Sequence, residues 1–139
     1  MQQEVAALGA GFEALVEQLP VSVILADREG LIRAWNRASE ALFGFSAKEV
    51  MGRSLDVIIP EHLRQAHWDG YNRSLASGTT KYSGRVMTTR AVHKDGRKLY
   101  VDFGFGMLKD ASGAVVGAMA VGRDVTERYL AERAKRASA

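Results

Sequence analysis

The sequence predicts an α+β domain in which helices cover one face of a five-stranded antiparallel sheet. Two observations predict this class: strand-like segments joined by tight-turn motifs occur near both ends of the chain, and short helical segments are grouped between them. The length of 139 residues, 47% of them hydrophobic, suits one globular domain. We divide it into a flanking helix over residues 1–19, a core over residues 20–125 and a closing helix over residues 126–139.

Residues 1–19 are predicted to form a helix with a narrow apolar seam. The apolar residues of this seam are spaced three and four apart: Val5, Leu8, Phe12, Leu15 and Leu19. Such spacing is typical of a helix that packs along one line against a partner, although fewer than three heptads is short for an independent coiled coil. We therefore expect the helix to pack on its own domain or against its copy in a homodimer.

The segment after Pro20 predicts a β-hairpin. Residues 21–26 and 31–35 are largely apolar and include β-branched side chains, which favour strands. Residues 27–30 (DREG) lie between them and favour a tight turn. We therefore expect the first two strands to pair with each other.

Short helices are predicted after this hairpin. Asn36 can cap the first of them, and Ser46 with Glu49 three residues later forms the capping-box pattern of the second. Pro60 is suited to open a longer polar helix over residues 61–76. Short turns of this kind usually wrap the edge of a core or a pocket.

The last third of the chain predicts three strands, over residues 82–93, 98–109 and 114–124. Residues 94–97 (KDGR) and 110–113 (DASG) join them as hairpin turns. Alternation along the middle strand places four apolar side chains on one face: Val101, Phe103, Phe105 and Met107. This face and the helices would enclose a cavity, and a final helix would leave the sheet from about residue 126.

The composition excludes several classes of function. The net charge is +3, but four basic and two acidic residues after residue 125 account for +2 of it, so no basic patch for nucleic acid is expected on the core. The absence of cysteine excludes disulfides, thiolate nucleophiles and iron–sulfur clusters. No apolar run approaches the ~20 residues of a membrane helix. We expect a cytoplasmic protein that does not bind membranes and is not an enzyme, since no histidine lies in a recognisable nucleophile or acid–base signature.

Four segments, in this order, resemble the PAS family of sensory domains (the S-box type). They are residues 26–38 (ADREGLIRAWNRA), 44–52 (GFSAKEVMG), 94–96 (KDG) and 122–128 (GRDVTER). The resemblance extends over roughly residues 13–128. It implies a sensor or interaction module that forms homodimers through flanking helices and signals through its closing helix to a kinase, a cyclase or phosphodiesterase, or a regulator. Asp124 and Thr126 would then form the signalling junction.

A fifth segment, residues 59–67 (IPEHLRQAH), is similar to the corresponding helix of the heme-binding oxygen sensors of this family. In those sensors a histidine seven residues after the proline is the proximal iron ligand, and His67 stands at that spacing from Pro60. The resemblance therefore implies heme b as a cofactor, with His67 as the residue that binds its iron. A neutral imidazole is a suitable ligand for heme iron.

The same resemblance implies the other residues around the heme. Arg85 and Met87 correspond to the distal positions and share one face of a strand, and either could be the distal partner. The remaining candidates for the pocket wall are Tyr71, Phe103, Phe105, Met119 and Val121.

Three alternatives stay open from the sequence. His67 could be a solvated or capping histidine, since PAS domains without heme also carry a histidine in this helix. The domain could then be a cofactor-free dimerisation module, or it could bind another small molecule such as a non-covalent flavin or an organic acid. His62 and His93 lie near a helix start and a turn, and both are expected to face solvent.

Overall fold

The sheet of this protein has five antiparallel strands in the order β2-β1-β5-β4-β3, in a computed structural model that describes residues 11–81 and 84–138. The strands are β1 (Ser22–Asp27), β2 (Ile32–Trp35), β3 (Val86–Val92), β4 (Lys98–Lys109) and β5 (Val115–Asp124). The helices are α1 (residues 11–18), α2 (Arg37–Phe43), α3 (Ala47–Val50), α4 (Arg64–Ser77) and α5 (Thr126–Ser138). Two 3₁₀ turns, Leu55–Ile58 and Glu61–Leu63, precede α4. The predicted α+β class is confirmed.

Local capping signals start the short helices where the sequence places them. The Asn36 side chain accepts a hydrogen bond from the Ser39 backbone N–H at 3.1 Å, at the start of α2. Ser46 and Glu49 form the expected capping box of α3, with reciprocal bonds of 3.2 and 2.9 Å. These contacts satisfy backbone groups that a helix end leaves unpaired.

Some boundaries differ from the prediction. The helix expected over residues 61–76 begins as a 3₁₀ turn, because the Leu63 N–H bonds back to the carbonyl of Pro60, and it becomes α-helical only at Arg64. The third strand begins at Val86, and residues 82 and 83 of the predicted strand lie outside the described residues. Val5 and Leu8 of the predicted seam also lie outside them, and the division of the chain into three parts stays a prediction.

Strand register defines which side chains share a face. Phe103 pairs with Met87 on β3 and with Gly122 on β5, while Phe105 pairs with Ala120. Residues that are directly opposite in a sheet point to the same side. We call this side the inner face, because its side chains join the main core together with residues of the helices: Ile24, Ile32, Trp35, Phe43, Val50, Ile58, Ala91, Leu99, Val101 and Phe103.

The register corrects the expectation that Met119 and Val121 line the pocket. Val121 pairs with Gly104, and Met119 pairs with Gly106, so both lie on the opposite, outer face. The Met119 side chain approaches the position that a Cβ on Gly106 would occupy, to 3.4 Å. On β5 the residues that point inward are therefore small ones, such as Ala120.

The expectation that His93 faces solvent is also wrong. Its side chain is only 14% exposed, and its Nδ1 accepts a hydrogen bond from the Asp95 N–H at 3.1 Å. The ring packs against Gly44, where an added Cβ would lie 2.4 Å from the ring. Gly44 has φ +81°, so a glycine here both ends α2 and leaves room for the imidazole. His62, in contrast, is exposed as expected.

Candidate functional site

Helix α4 presents one stripe of side chains toward the sheet. Tyr71 and Leu75 are buried on this stripe and pack with Ala26 of β1 in a second core cluster. His67 precedes Tyr71 by four residues, so it lies on the same stripe one turn nearer the start of the helix. Leu55 packs against both the main core and this cluster, so the two are continuous.

The imidazole of His67 is half-buried and incompletely satisfied. Its Nδ1 has no contact with solvent and no hydrogen-bond partner among the described residues. The ring contacts Trp68 edge-on, with ring centroids 4.6 Å apart, and lies 5.9 Å from Tyr71. Burial lowers the pKa of His67, while the Asp56 carboxylate opposes that shift. The neutral imidazole is thus favoured, and it is the form that binds a metal.

Trp68 ties α4 to the preceding segment and to the first hairpin. Its Nε1 donates a hydrogen bond of 2.7 Å to the carboxylate of Asp56. Its ring lies over Gly30, where an added Cβ would be 2.2 Å from the ring. Trp68 was not predicted as a site residue, because no local sequence signal joins it to Asp56 or Gly30 and both contacts form only in the folded chain.

Tyr71 holds α4 to the same hairpin from the buried side. Its hydroxyl donates a short hydrogen bond to the backbone carbonyl of Asp27. Burial raises the pKa of Tyr71 to about 12, and the Asp27 carboxylate adds to this effect. The hydroxyl is therefore a neutral donor engaged with the protein. The structure thus gives Tyr71 a tethering contact, and its expected role beside a cofactor stays a prediction.

The sheet contributes apolar side chains opposite the helices. Phe103 is buried, and its ring lies 5.4 Å from that of Phe105 and 6.5 Å from that of Phe43. Met87 is half-buried beside Phe103 on the inner face. Arg85 precedes β3 and is exposed at the edge of the sheet. The structure therefore groups Met87 with the two phenylalanines and leaves Arg85 in solvent.

Asp124 and Thr126 connect the sheet to α5, as a junction between the two would require. The Asp124 carboxylate accepts hydrogen bonds from the N–H and the hydroxyl of Thr126, at 2.9 and 2.6 Å. The Thr126 hydroxyl oxygen in turn accepts from the Tyr100 N–H of β4 at 2.9 Å. The Val125 N–H donates to the carbonyl of Tyr100 at 2.8 Å. The start of α5 is therefore hydrogen-bonded to one residue of β4.

Further contacts, which were not predicted from the sequence, hold α5 against the outer face. The rings of Tyr100 and Tyr129 stack with centroids 4.0 Å apart. Arg128 forms an ion pair with Asp102 at 3.0 Å, and Asp102 also accepts from the Thr88 hydroxyl. Asp102 and Tyr100 are the outward residues of β4 on either side of the buried Val101. No local pattern shows this, because the partners are 26 to 29 residues apart.

The strand order and the capped short helices define an α+β domain with an open antiparallel sheet, which continues into α5 through Asp124 and Thr126. A protein-family model described as the PAS fold matches residues 16–130. This is most of the chain, and the chain therefore belongs to the PAS family.

Named relatives share part of this sequence. The oxygen sensor protein DosP of Escherichia coli is 32% identical over 98 residues, which are 70% of this chain and 12% of DosP. The sensor protein FixL of Bradyrhizobium diazoefficiens is 33% identical over 58 residues, which are 42% of this chain and 11% of FixL. The chain thus spans little more than a tenth of the length of either protein.

Solved structures agree with the fold. The PAS domain of a Colwellia psychrerythraea protein has a TM-score of 0.74 at 19% identity, covering 86% of this chain and 98% of that one. An RNA-binding light-oxygen-voltage receptor has a TM-score of 0.71 at 22% identity, covering 96% of this chain and 39% of that one. Within the described residues, no helix is both long and apolar enough to cross a membrane.

Proposed function

We propose that this chain is a sensory module that holds heme b between α4 and the inner face of the sheet, and that it responds to a diatomic gas or to redox state. The observation that carries the proposal is the buried Nδ1 of His67, which has no hydrogen-bond partner among the described residues. A buried imidazole nitrogen left unpaired costs stability unless a ligand or water satisfies it. An iron ion would satisfy it.

The residues of α4 and of the inner face of the sheet support this role in three respects. Burial favours the neutral imidazole, which leaves a nitrogen lone pair for iron. Phe103, Phe105 and Met87 offer an apolar wall on the sheet side, which would exclude water. Bound heme would supply an iron centre that takes up a small gas ligand. The likeness of residues 59–67 to heme-binding members of the family and the relationship to the oxygen sensor DosP support the same assignment.

The proposed output runs through β4 to α5. Inward and outward side chains alternate along residues 100–103 of β4. Val101 and Phe103 point into the core, while Tyr100 and Asp102 bind α5. A shift of the inner side chains would move the outer ones, because both alternate along one backbone. The role proposed for the chain is therefore signalling rather than catalysis, through a kinase, a cyclase or phosphodiesterase, or a regulator.

A cofactor-free interaction module is the second candidate. It is favoured by two side chains of α4 that are already hydrogen-bonded within the domain. Trp68 donates to the Asp56 carboxylate, and Tyr71 donates to the Asp27 carbonyl. A helix that is tied down in this way needs no ligand to hold it in place. The two candidates differ in whether the protein has a specific heme spectrum.

The test is an absorption spectrum of the purified protein, as isolated and after addition of hemin. We expect a sharp Soret band that shifts on reduction and on addition of carbon monoxide. The band should be lost in His67→Ala and retained in His62→Ala, because the imidazole of His62 is exposed and lies five residues before His67. Absence of a specific band, or a band unaffected by His67→Ala, would remove the heme assignment and leave the interaction module.

A further inference from the structure

The outer face of the sheet holds a second buried polar group without a partner. The Nε atom of Arg90 has no contact with solvent and no hydrogen-bond partner among the described residues. Arg90 lies on β3 directly opposite Tyr100 of β4. Tyr100 lies between two residues of the main core, so Tyr100 and Arg90 share the outer face. A buried guanidinium N–H that is left unpaired costs stability unless a ligand or a water accepts from it.

Helix α5 brings a second arginine to the same tyrosine. The Nη1 of Arg133 donates a hydrogen bond of 3.4 Å to the Tyr100 hydroxyl. The Arg133 guanidinium also lies 5.9 Å from the centre of the Tyr129 ring, which stacks on the ring of Tyr100. The Tyr100 hydroxyl thus accepts a hydrogen bond, and its own proton has no acceptor within residues 11–81 and 84–138. The elements β3, β4 and α5 each contribute a donor to this region.

The neighbouring carboxylates already face a different cation. Asp102 forms its ion pair with Arg128 at 3.0 Å, and Glu132 lies 4.0 Å from the same guanidinium. In the part of the chain that the structure describes, no carboxylate lies within 4.0 Å of the guanidinium of Arg90 or Arg133. The two arginines beside Tyr100 therefore lack an anion.

The chemistry of these groups defines the ligand that would complement them. All of them are donors, so the complement accepts hydrogen bonds and carries negative charge. Arginine matches the oxygens of phosphate and carboxylate groups. A carboxylate offers two oxygens in one plane, whereas a phosphate group offers at least three that point in different directions. Donors that come from three separate elements favour the phosphate group.

From these observations we infer that Arg90, Tyr100 and Arg133 bind a phosphate group of a small soluble ligand, at the contact between the sheet and α5. The bound anion joins the strands to the helix, because its oxygens are shared by guanidinium groups of β3 and α5. It thereby holds α5 more firmly on the sheet. This site is separate from the proposed heme site, because it lies on the opposite face of the sheet, and it does not depend on heme.

Isothermal titration calorimetry with inorganic phosphate, at constant ionic strength, tests the inference. We expect one saturable site per chain with a Kd of about 1 mM or below. Arg90→Gln and Arg133→Gln should each weaken binding by about tenfold or more, since each removes a charge-assisted hydrogen bond. Arg133 is exposed, so its replacement leaves the core intact. Arg85→Gln is the matched control, because Arg85 is an exposed arginine that precedes β3. Absence of saturable binding, or binding unchanged in both cluster variants, would overturn the inference.

Two further ligands define the chemistry of the anion in the same assay. Glycerol 3-phosphate distinguishes a phosphate monoester from the free anion. Equal binding of the two would show that the site accepts monoesters, and binding of inorganic phosphate alone would identify the free anion as the ligand. Both results support a phosphate site. Acetate that binds as tightly as inorganic phosphate would overturn it, since the donors would then not distinguish a phosphate from a carboxylate.

Amide hydrogen exchange measures the effect of the anion on α5. Saturating phosphate should slow exchange within residues 126–138 of the wild type. It should not do so in Arg90→Gln, because that variant removes the contact with the sheet. Unchanged exchange in the wild type at saturating phosphate would show that the anion does not join the sheet to the helix, and the inference would fail.

Discussion

Replacement of Gly30 by alanine should destabilise the domain by about 4 kcal/mol, through two separable effects. Gly30 has φ +78°, a conformation that costs an alanine about 1–2 kcal/mol. The added Cβ would also lie 2.2 Å from the Trp68 ring, so the ring must move. Its displacement would break the bond to Asp56 and the edge contact with Tyr71, which contribute the remaining ~2–3 kcal/mol.

Gly113→Ala separates the two effects. Gly113 has φ +87°, but an added Cβ would meet no atom within 4 Å, so this variant should lose only the ~1–2 kcal/mol of backbone strain. Urea unfolding followed by far-ultraviolet circular dichroism gives both values. Equal losses in Gly30→Ala and Gly113→Ala would refute the reasoning, since they would show that Trp68 is not held against the hairpin.

Three further predictions concern buried polar groups. Because burial lowers the folded-state pKa of His67, the unfolded chain binds more protons, and stability should fall as pH drops from 7 to 5. His67→Gln should flatten this dependence in urea titrations, and His62→Gln should not. Tyr71→Phe should lower the free energy of unfolding by only about 1 kcal/mol in the same assay. The Asp27 carbonyl loses the Tyr71 hydroxyl but still accepts a hydrogen bond from the Gly30 N–H. Asn36→Ala should cost at least about 3 kcal/mol, since it removes a helix cap and unpairs several buried groups, and a loss below 1 kcal/mol would contradict this.

The features predicted correctly from the sequence have local causes. Asn36 caps α2 by binding a backbone group three residues away, and Ser46 with Glu49 does the same for α3. The tight turns likewise depend on a few adjacent residues. Such contacts can be recognised from spacing alone, which is why the order of helices and strands was predictable.

The errors concern relations between segments that are distant in sequence. Both faces of β5 contain apolar residues, so alternation alone does not show which face is inward, and Met119 was assigned to the wrong one. The pairing of Gly106 with Met119 places Met119 on the outer face. His93 was expected in solvent because it adjoins a turn, but Gly44, which lies 49 residues earlier, gives its ring a place to pack. Register and close approach are tertiary properties, and composition does not reveal them.

Strand β4 joins the core of the domain to the start of α5. Both backbone groups of Tyr100 bind the start of α5: its N–H donates to Thr126, and its carbonyl accepts from Val125. Its ring stacks on Tyr129 one turn further along the helix. The next residue, Val101, is fully buried in the core. A displacement of Val101 therefore cannot be absorbed by a flexible linker, because the adjacent residue is the attachment point of α5.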